Sequence, residues 1–320
     1  SLAAKFPSFI DRVEEIADEF RTIYEAIDNK KPWCRLKVGL LNAWGKKRSW
    51  MSHMVAHELW YQQIYSYQGI LEAISGLPVD IEFLSFDEVR NGVPKDIDVI
   101  INAGDAYTAF SGGEEWKDEN LQVSIRKFVY EGGGFIGVGE PTACEGNGRY
   151  FQLADMLGVD EEIGYTLSND KYNIQKQADE LTEGLKEIDY GEDKKNIYAL
   201  DGTKVLDITF SDRFKRTVNV GEVKMAINEY GKGRSFYITG IPYSFQNSRL
   251  LYKAMCRVAK KNLYECYSTN ENTECNYYPA SGKYAVINNA KTEQRTEFYD
   301  EKGVKTELTL KPMEVRWIKE

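Results

Sequence analysis

Phe6, Ile10, Val13, Ile16, Phe20, Ile23 and Ile27 recur at three- and four-residue steps, predicting one long amphipathic helix with a single apolar stripe. Such a stripe needs a surface to lie on, supplied either by this chain's own body or by another domain. After Lys31-Pro32 the period shortens and strands alternate with helices. Leu36 to Leu41 reads as the first strand and residues 53–75 as a helix. Val79 to Phe86 and Asp98 to Asn102 are further strands rich in Ile and Val, and a helix spans 118–131. Gly132-Gly133-Gly134 ends that helix, and the short buried strand Phe135 to Val138 turns sharply at Gly139-Glu140-Pro141. Leu206 to Phe210, Val223 to Asn228 and Arg234 to Thr239 read as strands of the same sheet or a flanking one, closed by a helix at 244–261.

From Tyr264 the pattern becomes turn-rich, with a loop expected at Asn270 to Asn276. Alternating runs follow at Lys283 to Asn288, Thr296 to Tyr299, Thr306 to Leu310 and Glu314 to Ile318. These predict a small antiparallel β domain. The expected division is a linking helix at 1–31, an α/β domain at 32–263 and the β domain at 264–320.

Composition narrows the function classes. Forty-one basic against fifty acidic side chains give a formal charge of -9, a field that repels phosphate backbones and anionic lipid, so no nucleic-acid partner is expected. No apolar run is long enough to span a bilayer, so no membrane role is expected either. Cys34, Cys144, Cys256, Cys266 and Cys275 are odd in number and lack zinc-like spacing, which fits reduced thiols and a cytoplasmic location. The chain opens on Ser1 with neither a basic nor an apolar leader pattern, and the expectation is that a further segment precedes it.

In open sheets of this kind ligands gather outside the carboxyl ends of the strands. Those ends are Asn42-Ala43-Trp44-Gly45, Asn102-Ala103-Gly104-Asp105 and Gly139-Glu140-Pro141. The crevice candidates are therefore Trp44, Arg48, Trp50, His53, Asp105 and Glu140, although Gly and Asn also make the turns that such connections need. His53 and His57 stack on one helical face beside Glu58, but the order H-x-x-x-H-E and the lack of a third His argue against zinc. No metal site is expected. Gly231-Lys232-Gly233 lies between two strand-like runs and reads as a hairpin turn, not a phosphate loop.

The run Leu41-Asn42-Ala43-Trp44-Gly45-Lys46-Lys47-Arg48-Ser49-Trp50, continued by His53 to Tyr61, resembles the galacto-N-biose/lacto-N-biose phosphorylase family. So do Asn102 to Gly113 and Gly137 to Thr142. The resemblance implies a barrel domain carrying the active site, then a class I glutamine-amidotransferase-like, Rossmann-like α/β domain with a mostly parallel sheet, then a small β domain. It also implies cofactor-free inverting phosphorolysis, in which phosphate attacks the galactosyl anomeric carbon while a barrel carboxylic acid protonates the leaving oxygen. No catalytic residue carries over to these positions. The implied partners are the barrel domain, the sugar substrate, inorganic phosphate and a second copy in a homodimer.

Within such an amidotransferase-like fold the turn at 134–141 occupies the place of a nucleophile elbow, yet its apex offers Glu140 and proline, with Cys144 several residues late. Hydrolase chemistry of that kind is not expected. The other alternative is a free-standing sugar-binding module that stacks on the aromatic-rich stretch 44–67.

Overall fold

The computed structural model describes residues 5–27, 31–42, 60–145, 148–163, 175–211 and 220–320. The chain divides into two compact units, one formed by Arg35–Leu263 and one by Ser1–Cys34 with Tyr264–Glu320.

The larger unit opens with β1 (Leu36–Asn42), followed by α-helix Trp60–Ile74, β2 (Val79–Ser85), a one-turn helix Phe86–Arg90 and β3 (Val99–Gly104). A 3-10 turn at Gly113–Lys117, helix Glu119–Glu131, β4 (Gly134–Gly139) and helix Ala154–Leu157 come next. Then follow β5 (Val159–Glu161), β6 (Ile197–Ala199), β7 (Lys204–Ser211), β8 (Val220–Tyr230), β9 (Gly233–Ile238) and helix Phe245–Val258.

Local sequence sets these boundaries. Ser85 and Glu88 form a capping box, and Asp118 accepts from the Asn120 N–H at 2.9 Å to start the helix at Glu119. Gly132, at φ 128°, ends that helix in a conformation that would strain an L side chain. At Gly69 a Cβ would stand 1.8 Å from the Ile241 carbonyl oxygen, so glycine is what lets the helix Trp60–Ile74 approach the chain after β9.

The main sheet has seven strands in the order β2-β1-β3-β4-β9-β8-β7. β1 pairs parallel with β2 and β3, β3 with β4, and β4 with β9. The remaining two pairings, β8 with β9 and β7 with β8, are antiparallel. β3 and β4 are buried at every position, as central parallel strands covered on both faces should be. Trp116, Phe135, Phe151 and Tyr237 fill the core, all fully buried.

The amidotransferase-like, Rossmann-like fold implied by the resemblance is not what the chain forms. Its sheet is mixed. The βα alternation of the first half does not continue, because β8 and β9 are joined by the tight turn Gly231-Lys232 with no crossover helix, and so short a connection joins only antiparallel neighbours.

In the smaller unit the helix Pro7–Ala26, here α1, carries proline in its first turn, where a missing N–H costs nothing. Strands β10 (Tyr267–Ser268), β11 (Thr273–Tyr278), β12 (Lys283–Asn288), β13 (Gln294–Tyr299), β14 (Lys305–Leu310) and β15 (Val315–Lys319) form two three-stranded antiparallel sheets. Their orders are β10-β13-β14 and β11-β12-β15. Between them lies a core of Cys275, Tyr277, Tyr284, Val286, Phe298 and Leu310. Tyr277 stacks on Tyr284 with centroids 4.5 Å apart.

The loop expected at Asn270 to Asn276 is only partly a loop, since Thr273–Tyr278 is a strand. Thr273, Cys275 and Tyr277 face inward while Glu274, Asn276 and Tyr278 are half-buried, an alternation hidden by the polar residue types. Cys34, Cys144, Cys256, Cys266 and Cys275 form no disulfide.

Candidate functional site

The chain enters the sheet at β1 and adds β2 on one side of it and β3 on the other. The topological switch point therefore lies between β1 and β3, and the carboxyl ends of β3 and β4 lie next to one another on its β3 side. At those ends Asp105 and Glu140 follow glycines at positive φ, Gly104 at 133° and Gly139 at 77°. Tyr107 and Thr142, both at φ 61°, continue each connection in the left-handed region, which non-glycine residues seldom adopt.

Buried polar groups hold the two connections together. Asn102, fully buried, donates to the Phe110 carbonyl at 3.3 Å and accepts from the Thr142 N–H at 3.2 Å. The Glu140 N–H donates to the Gly104 carbonyl at 3.0 Å, and Glu140 Oε2 accepts from the Ala106 N–H at 2.9 Å. Thr108 donates its hydroxyl to the Asp105 carbonyl at 2.7 Å.

Onto this pair comes Lys194. Its backbone N–H donates to the Thr239 carbonyl at 3.2 Å, and its ammonium lies 2.7 Å from Asp105 Oδ1 and 2.9 Å from Glu140 Oε2. Burial works against the Lys194 charge, but Glu140 and Asp105 outweigh it and hold the ammonium above the ordinary lysine value. Burial raises the Asp105 carboxyl despite the pull of Lys194. Glu161, at the end of β5, completes the cluster. Its Oε2 is buried with no hydrogen-bond partner, and burial followed by the neighbouring Glu140 charge pushes its carboxyl up to about 8. Both causes favour the protonated form of Glu161. Asp160 beside it accepts from the Phe151 N–H at 2.8 Å and the Glu161 N–H at 2.9 Å.

Chemically the arrangement is an internally paired clasp. One ammonium sits between two carboxylates, and burial favours the protonated form of the third carboxyl. Neither a thiol nor a hydroxyl nucleophile stands at the apex of the β4 turn, and Cys144 is buried, with its thiol 3.6 Å from the Glu145 carbonyl. Among the described residues there is no group of three side chains able to hold a metal ion. Nor is any described helix long and apolar enough to cross a membrane. An open depression of about 910 Å³ lies at the other end of the sheet, lined by Arg90, Pro94, Asp98, Lys127 and Glu131.

Of the six crevice candidates the structure brings Asp105 and Glu140 together, through Lys194. Trp44, Arg48, Trp50 and His53 lie outside the described residues, as does His57. Sequence reading missed Lys194 and Glu161. The one available signal was indirect: two carboxylates expected at buried strand ends require a cation from elsewhere in the chain.

Residues 37–263 match the family model described as the lacto-N-biose phosphorylase central domain, and residues 266–318 match that of the C-terminal domain. The chain belongs to the lacto-N-biose phosphorylase family. Residues 1–35 match the model of the family's N-terminal TIM barrel domain, so the segment expected as a linking helix resembles barrel sequence. A 1,3-beta-galactosyl-N-acetylhexosamine phosphorylase of Lachnoclostridium phytofermentans is 48% identical over 321 residues, covering 99% of this chain and 43% of the relative. The enzyme of that name from Bifidobacterium longum is 39% identical over 355 residues, covering 99% and 46%. A D-galactosyl-beta-1->4-L-rhamnose phosphorylase of Lachnoclostridium phytofermentans is 34% identical over 302 residues, covering 92% and 39%. The chain thus spans less than half the length of these relatives. Among solved structures, the beta-galactosidase of Rahnella sp. R3 aligns with TM-score 0.49 at 16% identity, over 89% of this chain and 40% of that one.

Proposed function

We propose that this lacto-N-biose phosphorylase family chain is the portion that supports a barrel-borne active site in a phosphorylase, without itself supplying catalytic groups. The parent reaction is phosphorolysis of galactosyl-β-1,3-N-acetylhexosamine to α-galactose 1-phosphate and the N-acetylhexosamine, in an enzyme that assembles as a homodimer. The observation that carries the supporting role is that Lys194 pairs with both Asp105 and Glu140, the carboxylates at the carboxyl ends of β3 and β4. A general acid needs a proton to give and a path to substrate, and these two groups are committed to an internal partner. This portion is also proposed to wall the acceptor side of the cleft.

The test is direct. Purified chain incubated with lacto-N-biose and phosphate is expected to release no galactose 1-phosphate. The same chain joined behind the barrel segment of the 48%-identical relative is expected to turn over. Release by the chain alone overturns the supporting role, and an inactive fusion that is folded overturns the phosphorylase reading.

A further inference from the structure

α1 is more exposed than its sequence can tolerate. Phe9 is 59% exposed, Val13 45%, Ile16 38%, Phe20 68% and Tyr24 55%, all on one side of a helix that carries charges on the other. Arg12 pairs with Glu15 at 2.7 Å and Arg21 with Asp18, so the charged side already has the partners a water-facing surface needs. A monomeric protein seldom leaves so contiguous an apolar strip uncovered.

The width of the strip selects its occupant. Phe6, Val13, Phe20 and Ile27 recur every seven residues. So do Phe9, Ile16 and Ile23, and so do Ile10, Ala17 and Tyr24. Three of the seven columns are apolar throughout. A two-stranded coiled coil uses only two such columns, a narrow seam, whereas three make the broad face with which a helix beds onto the body of a globular domain. A second copy of α1 would cover two columns and leave the apolar side chains of the third in water.

Two further observations point to the body concerned. Residues 1–35 match the family's N-terminal barrel domain, and the relatives carry more than half their length outside the region this chain matches. Resting on the family reading above, we infer that the three-column face of α1 is a docking seam for the family's barrel domain. Through it the barrel is held to the portion described here. The polar columns, with Glu15 and Asp18, stay in solvent.

Hydrogen–deuterium exchange tests this on intact proteins. In the chain alone the α1 amides are expected to exchange close to the unstructured rate. In the fusion carrying the barrel segment of the Lachnoclostridium phytofermentans relative they are expected to slow by roughly 100-fold or more, as amides do in packed helices. Phe20→Asp in the fusion should abolish that slowing, while Glu15→Lys should leave it intact. Equal exchange with and without the barrel overturns the seam. So does sedimentation showing the chain alone as a dimer that Phe20→Asp converts to monomer, since the occupant is then a second copy. Protection with no galactose 1-phosphate release sinks the phosphorylase reading and leaves the seam standing, whereas release with unprotected α1 does the reverse.

Discussion

At the carboxyl end of the seven-stranded sheet, charges are enclosed and pair across long stretches of chain, as Lys194 does with Asp105 and Glu140 at 22%, 24% and 14% exposure. In the smaller unit they stand in water and pair across one hairpin, as Arg295 does with Glu307 at 76% and 59% exposure. The geometry is similar, with contacts of 2.7 and 2.5 Å, but the consequences differ. Removing one partner of an enclosed pair leaves a charge where water solvates it poorly, while removing one partner of an exposed pair returns the other to solvent. Contact distance alone therefore says little about what an ion pair does; its surroundings decide.

Four measurements press on this contrast. The largest effect belongs to the apolar core that encloses the charges. Trp116→Ala, removing a fully buried indole whose N–H donates to the Ser111 carbonyl, should cost about 4 kcal/mol in urea unfolding of the whole chain. Next, Lys194→Met should cost about 3 kcal/mol by leaving Asp105 and Glu140 without a cation. Adding Asp105→Asn and Glu140→Gln to that variant should recover most of the loss, and a neutral single variant would erase the contrast.

A smaller effect is expected with pH. The Glu161 carboxyl is raised in the fold, so its contribution is complete below the unfolded value near 4.5 and is lost as pH climbs through about 8. The melting temperature should fall across that window in the native chain, and Glu161→Gln should flatten that part of the curve. Asp155, Asp179 and Asp193 are lowered against the opposition of their own burial by Arg126, Lys204 and the Lys195–Lys224 pair respectively. Their contribution is lost in the other direction, as pH falls through the low carboxylate range. The smallest effect is Arg295→Ala, which should leave the unfolding midpoint unchanged within scatter.

Legibility in the sequence follows the same division. β1, β3 and β4 announce themselves because strands buried on both faces are built from unbroken apolar runs, such as Val99-Ile100-Ile101. Thr273–Tyr278 does not, since half its positions face a core no larger than a few aromatic rings and its other half is Glu and Asn. Parallel and antiparallel pairing could not be separated from strand composition, and only the two-residue turn at Gly231-Lys232 carried that information. Asp105 and Glu140 were legible as strand-end polar groups in a doubly covered sheet. Lys194 was not, because it sits in a stretch without periodicity, and the fold, not spacing, delivers it to Glu140, 54 residues earlier in the chain.

The placement of β4 has a consequence for how the protein is made. One side of that strand is covered by β3, but Gly134 on the other side waits for Arg234, about a hundred residues later in synthesis. Until β9 has left the ribosome, the run Gly-Phe-Ile-Gly-Val-Gly presents an open ladder of amide and carbonyl groups flanked by apolar side chains, the kind of ribbon that recruits other nascent chains. The time a ribosome takes between residues 140 and 238 thus sets how long this sticky margin stays bare, and slow translation there invites aggregation before the fold can close.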